Sequence, residues 1–326
     1  MYKIFPLLIA LCFCSFVYAQ TDTLSSEERR LLDSMFKSDE FIKLMIGKKK
    51  SYVDLNLGIG NTVFSNKNNA LNAGQAQTDK LYFTPSLGYY HKSGLAFNVS
   101  GYLTTDDGGL KMYQYAISPS YYFRNKNFEA GISYTRYIEG TGTSFETNPF
   151  KNDFYATGQY NKTWIEPGLA IGYSFGRQKE YYDTAFWLLN RVVHIRDTIT
   201  TKLSGLSLTL SASHEWNFYK LLDKKDALQL QPAFLVNAGS QKWNIAHSSN
   251  LFDRRPLVQT YLKRRFGEGT TSSAFNIQSA AFLVTFTYYY DRFYLQPQLY
   301  LDYYLPETSE KRLTSLFSVT AGFSFY

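Results

Sequence analysis

From residue 51 to the end of the chain, apolar and polar residues alternate with a period of two. Val53, Leu55, Leu57 and Ile59 interleave with Asp54, Asn56, Gly58 and Gly60. Leu95, Phe97 and Val99, then Tyr113, Tyr115 and Ile117, follow the same rule, as do Ile165, Leu169, Ile171, Tyr173 and Phe175. It returns in Leu206-Leu208-Leu210, in Phe282-Val284-Phe286, in Leu295, Leu299 and Leu301, and in the closing Phe317, Val319, Ala321, Phe323 and Phe325. A period of two sends alternate side chains to opposite faces of a strand. One face is apolar throughout, and the other is Ser, Thr, Gln, Asn or Gly. Only residues 25–46 read as helical: Ser25 and Glu28 have capping-box spacing, and Leu31, Leu32, Met35 and Phe36 recur at helical intervals.

Strands of soluble sandwiches run nearer five or six residues. Runs of about ten with one apolar face have the length that crosses a bilayer. The pattern therefore predicts an all-β, transmembrane antiparallel β-barrel with a short N-terminal amphipathic helix. A closed sheet is needed because hydrocarbon cannot satisfy backbone polar groups. Eleven strands are expected near 51–64, 79–91, 94–105, 110–123, 128–140, 155–176, 202–217, 227–243, 275–290, 293–304 and 313–326. Closure calls for an even number, and 180–196, with Phe186, Trp187 and Val192, is the candidate twelfth; ten and fourteen are the neighbouring counts. Tyr89-Tyr90, Tyr121-Tyr122, Tyr288-Tyr289-Tyr290 and Tyr303-Tyr304 stand at strand ends, where interfacial girdles belong. Short turns at 92–94, 125–127 and 291–292 oppose longer loops at 65–79, 139–153 and 246–274, so the short turns face the periplasm. Pro85, Pro119, Pro167, Pro232 and Pro297 lie inside strands and are expected at bulges or strand starts.

Composition narrows this picture. The 326 residues are 44% hydrophobic and 18% aromatic, with 28 Tyr and 26 Phe, and mean hydropathy is −0.29. Helical membrane bundles and disordered chains are both excluded. Lys3, the apolar run 4–17 and Val17-Tyr18-Ala19 form a signal peptide over 1–19, leaving 20–50 as a periplasmic or plug segment and 51–326 as the barrel. Cys12 and Cys14, the two cysteines of the chain, fall within that peptide, so no disulfide is expected after export. The net charge of +7 becomes +6 once Lys3 is removed.

The signal peptide, the alternating strands and the terminal Phe323-Ser324-Phe325-Tyr326 together resemble a Gram-negative outer-membrane β-barrel across residues 51–326. The resemblance implies location in the cell outer membrane, contact with outer-membrane lipid and lipopolysaccharide, and recognition of Phe323, Phe325 and Tyr326 by the barrel-assembly machinery. Here the apolar register ends on Phe325, and Tyr326 is shifted by one.

Candidate chemistry is sparse. His247-Ser248-Ser249-Asn250 resembles the His-x-Ser-Asn segment of outer-membrane lipid hydrolases, in which His is the base and Ser the nucleophile. Leu251 stands where those enzymes carry Gly, and Gln259 and Glu268 are the candidates for an orienting third residue. His91, His194 and His214 lack metal-ligand spacing, so no metal and no other cofactor is expected. Arg254, Arg255, Lys263, Arg264 and Arg265 form a basic loop that either neutralises lipopolysaccharide phosphates or folds into a pore as a charged constriction. Nucleic acid is not an expected partner. Asp54, Glu129, Glu166, Glu215 and Asp302 are the charges assigned to the inner face. The expected function is a small-solute pore or a structural barrel. A lipid hydrolase built on His247 and Ser249, and an assembly or adhesion partner, are the alternatives.

Overall fold

A computed structural model describes residues 50–61, 81–106, 109–125, 127–140, 150–188, 191–223, 225–249, 269–306 and 312–326. The expected signal peptide, the 25–46 helix and the 65–79 loop lie outside the described residues. The described chain holds β1 (Tyr52–Gly60), β2 (Tyr82–Tyr90), β3 (Leu95–Asp106), β4 (Gly109–Arg124), β5 (Phe128–Glu139), β6 (Asn152–Tyr160) and β7 (Glu166–Leu188). It continues with β8 (Arg191–Ser213), β9 (Trp216–Tyr219), β10 (Asp226–Ser249), β11 (Gly269–Ser272), β12 (Asn276–Tyr290), β13 (Phe293–Tyr304) and β14 (Leu313–Phe325).

Twelve of these strands close into an antiparallel barrel. Pairing runs in sequence order from β1 to β8, passes to β10, β12, β13 and β14, and returns to β1. The closing ladder sets Val53 against Phe325 and Gly60 against Ser318. The four-residue strands β9 and β11 pair with the two ends of β10.

The number of strands matches the sequence expectation, but the twelfth lies elsewhere. The expected strand 155–176 is two strands, β6 and β7, joined by a turn at 161–165. The segment 180–196 instead completes β7 and begins β8 as one long hairpin, with Phe186 opposite Val193. A parity change carried the signal: exposed Phe154 and Tyr160 are even-numbered, whereas exposed Leu169, Ile171 and Tyr173 are odd-numbered. A strand keeps one parity, so a turn must intervene.

Alternation sorts the two faces as expected, except at the β4 irregularity, where Tyr113, expected on the apolar face, is buried against Tyr82. Leu55, Leu87, Leu95, Ile132, Leu210 and Phe234 expose about half their surface or more on the outside, whereas Asp54, Thr209, Asn237, Ser279, Thr287 and Asp302 are buried within. So broad an apolar exterior is unsuited to water and suited to lipid. The chain enters β1 and leaves β14 at the end that carries the turns at 91–94, 125–127, 161–165 and 291–292. In the first, Gly94 adopts φ +99°, which glycine takes without a Cβ clash. In the second, Asn125 Oδ1 accepts from the amides of Asn127 and Phe128 at 2.9 and 2.8 Å.

The prolines need no bulge. Among the described residues the two register shifts fall at Tyr102/Leu103 and Asn237/Ala238. At Pro85, Pro119 and Pro297 one neighbouring ladder skips two positions and resumes in the same register, while the other continues through the proline. A strand residue sends its N–H to one neighbour only, so losing it disturbs one ladder. Pro167 does sit at a strand start, as the second residue of β7.

Leu57 is at mid-strand on the apolar exterior. Leu57→Arg is expected to destabilise the lipid-embedded barrel by about 2–4 kcal/mol, measured as a lower urea midpoint in vesicles. A change below about 1 kcal/mol would place this wall away from hydrocarbon.

Candidate functional site

Inner-face residues of β1–β6, β13 and β14 enclose a cavity of about 250 Å³. Its lining includes both Tyr82 and Tyr90, the first and last residues of β2, and runs from Asp54 to Gly60 along β1. Among the described residues, the lining carries the carboxylates of Asp54 and Asp153 and no Lys, Arg or His.

The polar groups are held by one another. Ser86 Oγ donates to Asn56 Oδ1 at 2.7 Å, and Asn56 Nδ2 donates to Asp54 Oδ2 at 2.9 Å. Tyr294 Oη donates to the same carboxylate oxygen at 2.9 Å, and Ser324 Oγ to Oδ1 at 2.8 Å. Asp153 accepts from Ser174 at 2.9 Å. A carboxylate that accepts from several fixed donors is held in position.

Tyrosines narrow the short-turn end. The Tyr52 and Tyr90 rings stack at 4.7 Å, and Tyr326 lies 6.0 Å from Tyr52. Burial raises the Tyr326 phenol above its ordinary value, with a hydrogen bond to Ser324 opposing. Tyr294 lies over Gly322 and Tyr90 over Gly88, where a Cβ would overlap the rings. Glycine on the inner face lets a bulky ring lie flat against the wall. Sequence reading assigned tyrosines to girdles and to lipid and missed this inner set. The signal was parity, since Tyr90 alternates with the outward Leu87 and Tyr89.

Beside β10, β12, β13 and β14 the lumen holds a packed cluster. Tyr300 is fully buried beside Leu235, Ala281 and Leu316. Asn237 Nδ2 donates to Tyr300 Oη at 3.1 Å and to Ser279 at 3.0 Å, while Thr209 donates to Asn237 at 2.9 Å. Tyr300 Oη in turn donates to Asp302 at 3.3 Å.

The sequence-derived candidates are scattered. Asp54 and Asp302 face inward as expected. Glu129, Glu166 and Glu215 belong to the short-turn mouth, where Glu129 meets Arg124 at 2.7 Å and Gln159 donates to Glu166 at 2.8 Å. His247 and Ser249 end β10, in register with Ile199 and Asp197 of β8; their side chains lie outside what the structure describes. Arg254, Arg255, Lys263, Arg264, Arg265, Gln259 and Glu268 lie outside the described residues. His214 sits between Trp164 and Trp216, each 4.7 Å away, with Nδ1 2.5 Å from the Trp164 carbonyl oxygen. Among the described residues no group of three His, Cys, Asp or Glu is placed to hold a metal ion. Phe323 and Phe325 face outward with rings 4.8 Å apart.

No described protein family matches the chain, and no curated protein sequence does. Among solved structures, the barrel is similar to the RagAB peptide transporter at 9% identity and TM-score 0.35, covering 84% of this chain and 44% of that one. It is similar to LpxR from Salmonella typhimurium at 12% identity and TM-score 0.32, covering 84% and 100% of the two chains. The beta domain of the Bordetella autotransporter BrkA gives 11% identity, TM-score 0.34 and coverage of 85% and 99%. The chain thus spans under half the length of the RagAB chain it matches. The fold is defined by the strand pairing itself.

Gly322→Val is expected to push the Tyr294 ring off the wall and break its bond to Asp54. The cost is about 1–3 kcal/mol of barrel stability, read from urea unfolding. Parent-like unfolding would show that the ring is not held there.

Proposed function

We propose that the protein resides in the outer membrane and passes small polar solutes through the cavity along β1–β6. The observation that carries this reading is the polar lining that follows β2 from Tyr82 to Tyr90, about 26 Å of strand at ~3.3 Å per residue. The carboxylates of Asp54 and Asp153, with no cationic lining residue described, favour cations and neutral polar solutes over anions. The apolar exterior supports contact with outer-membrane lipid and lipopolysaccharide, and the outward Phe323 and Phe325 with Tyr326 suit recognition by the barrel-assembly machinery. Residues 20–50 act as a plug or bind a periplasmic partner. In planar bilayers the full chain, or a chain lacking residues 20–50, is expected to conduct with a preference for K⁺ over Cl⁻. Asp54→Asn combined with Asp153→Asn should move the reversal potential toward the unselective value. Absence of conductance in both chains overturns the pore.

One observation favours the hydrolase as a second reading. Asp197 stands in register with Ser249, so an acidic residue joins His247 and Ser249 on one face of the β8–β10 ladder. On this reading Ser249→Ala abolishes ester hydrolysis by a barrel that still migrates as folded on unheated gels. Unchanged hydrolysis removes it.

A further inference from the structure

The outer wall formed by β7, β8 and β10 changes character abruptly at its long-loop end. On β7 the outward positions read Leu169, Ile171, Tyr173 and Phe175, then Arg177 and Lys179. On β8, read toward the same end, they are Leu210, Leu208, Leu206 and Ser204, then Lys202. On β10 they are Phe234, Val236, Ala238 and Ser240, then Lys242.

Register brings the four cations together. Arg177 pairs directly with Lys202, Lys179 is one outward step further along β7, and Lys242 lies opposite Ser204, one outward step below Lys202. Adjacent strands are about 4.8 Å apart and outward positions on one strand about 6.6 Å, so the four side chains share one small area. All four are exposed, and among the described residues none meets a carboxylate. Unpaired like charges repel one another unless an anion lies among them. Here the required anion has a fixed depth, immediately past the last apolar ring. In a bilayer that depth is the headgroup layer, and the long-loop end faces the outer leaflet.

We infer that Arg177, Lys179, Lys202 and Lys242 form a docking surface for the phosphate groups of an outer-leaflet lipid whose acyl chains lie along Leu169, Leu206, Leu210 and Phe234. The surface rests on the membrane reading above. Lys and Arg projecting from a wall of this kind present three to five N–H donors each to phosphate oxygens, and the apolar residues beneath supply the face along which the chains pack.

The full chain is refolded into phosphatidylcholine vesicles doped with diphosphorylated lipid A, extracted in detergent, and weighed by native mass spectrometry. The parent barrel is expected to retain phosphorylated lipid A in preference to the dephosphorylated form. The R177Q/K179Q/K202Q/K242Q variant should retain on the order of tenfold less. A K92Q/K162Q/K225Q variant, neutralised at the short-turn end, should match the parent. The milder K202Q/K242Q variant serves if the fourfold change disturbs folding, which heat-shifted gel migration reports. Equal retention by parent and variant, or equal retention of dephosphorylated lipid A, overturns the surface while leaving the membrane reading intact. Failure of the parent to insert into either vesicle overturns both.

Discussion

Every backbone N–H and C=O in a wall that meets hydrocarbon must find its partner within the sheet, and the rest of the structure depends on that closure. The β1–β14 ladder provides it by joining the first and last strands of the sheet, so that Ser324 and Asp54, 270 positions apart, share a hydrogen bond inside the barrel. The prolines show that closure tolerates a missing ladder bond. Each removes one donor, yet Pro85, Pro119 and Pro297 leave the register unchanged on both sides. Their rings stand on the outward parity, and the strands pass them without re-aiming a single inward side chain.

Closure forces the second property, a lumen of polar side chains behind an apolar wall. What then occupies the lumen is a matter of volume. Against β10, β12 and β13 it is packed by Tyr300, Leu235 and Leu316 around the Asn237 network. Against β1–β6, small residues leave a cavity, and tyrosines lie flat over glycines rather than across the space. A packed cluster and a cavity thus share one lumen, though the sequence pattern is uniform all round.

Much of this was legible in the sequence. The period of two announced long strands, and the demand for closure turned eleven visible runs into twelve. Phe186, Trp187 and Val192 point to a strand because they are apolar, but the decisive mark is the parity change between Tyr160 and Leu169. Apolar content reports burial or lipid contact but not where a chain reverses. Tyrosine is ambiguous for a related reason: its ring suits lipid interfaces and its hydroxyl suits a polar interior, so residue type alone does not decide the face. The candidate site was less legible still. Parity places Asp54 and Asp302 inward, and Tyr300 holds Asp302 from two residues away on β13, but the partners that hold Asp54, Tyr294 and Ser324, lie on other strands that the pattern cannot order.

The sequence by itself determined the strand content, the polarity of the two faces and the expected sidedness of the connections, because each follows from local alternation and loop length. Only the tertiary structure decided which strands are neighbours and in which register, and hence that Tyr90, Asn56 and Tyr294 share one cavity while Arg177, Lys202 and Lys242 share one patch of the outer wall. Lateral pairing is a property of two strands at once. A hydrophobic period belongs to one strand and carries no information on its partner's register.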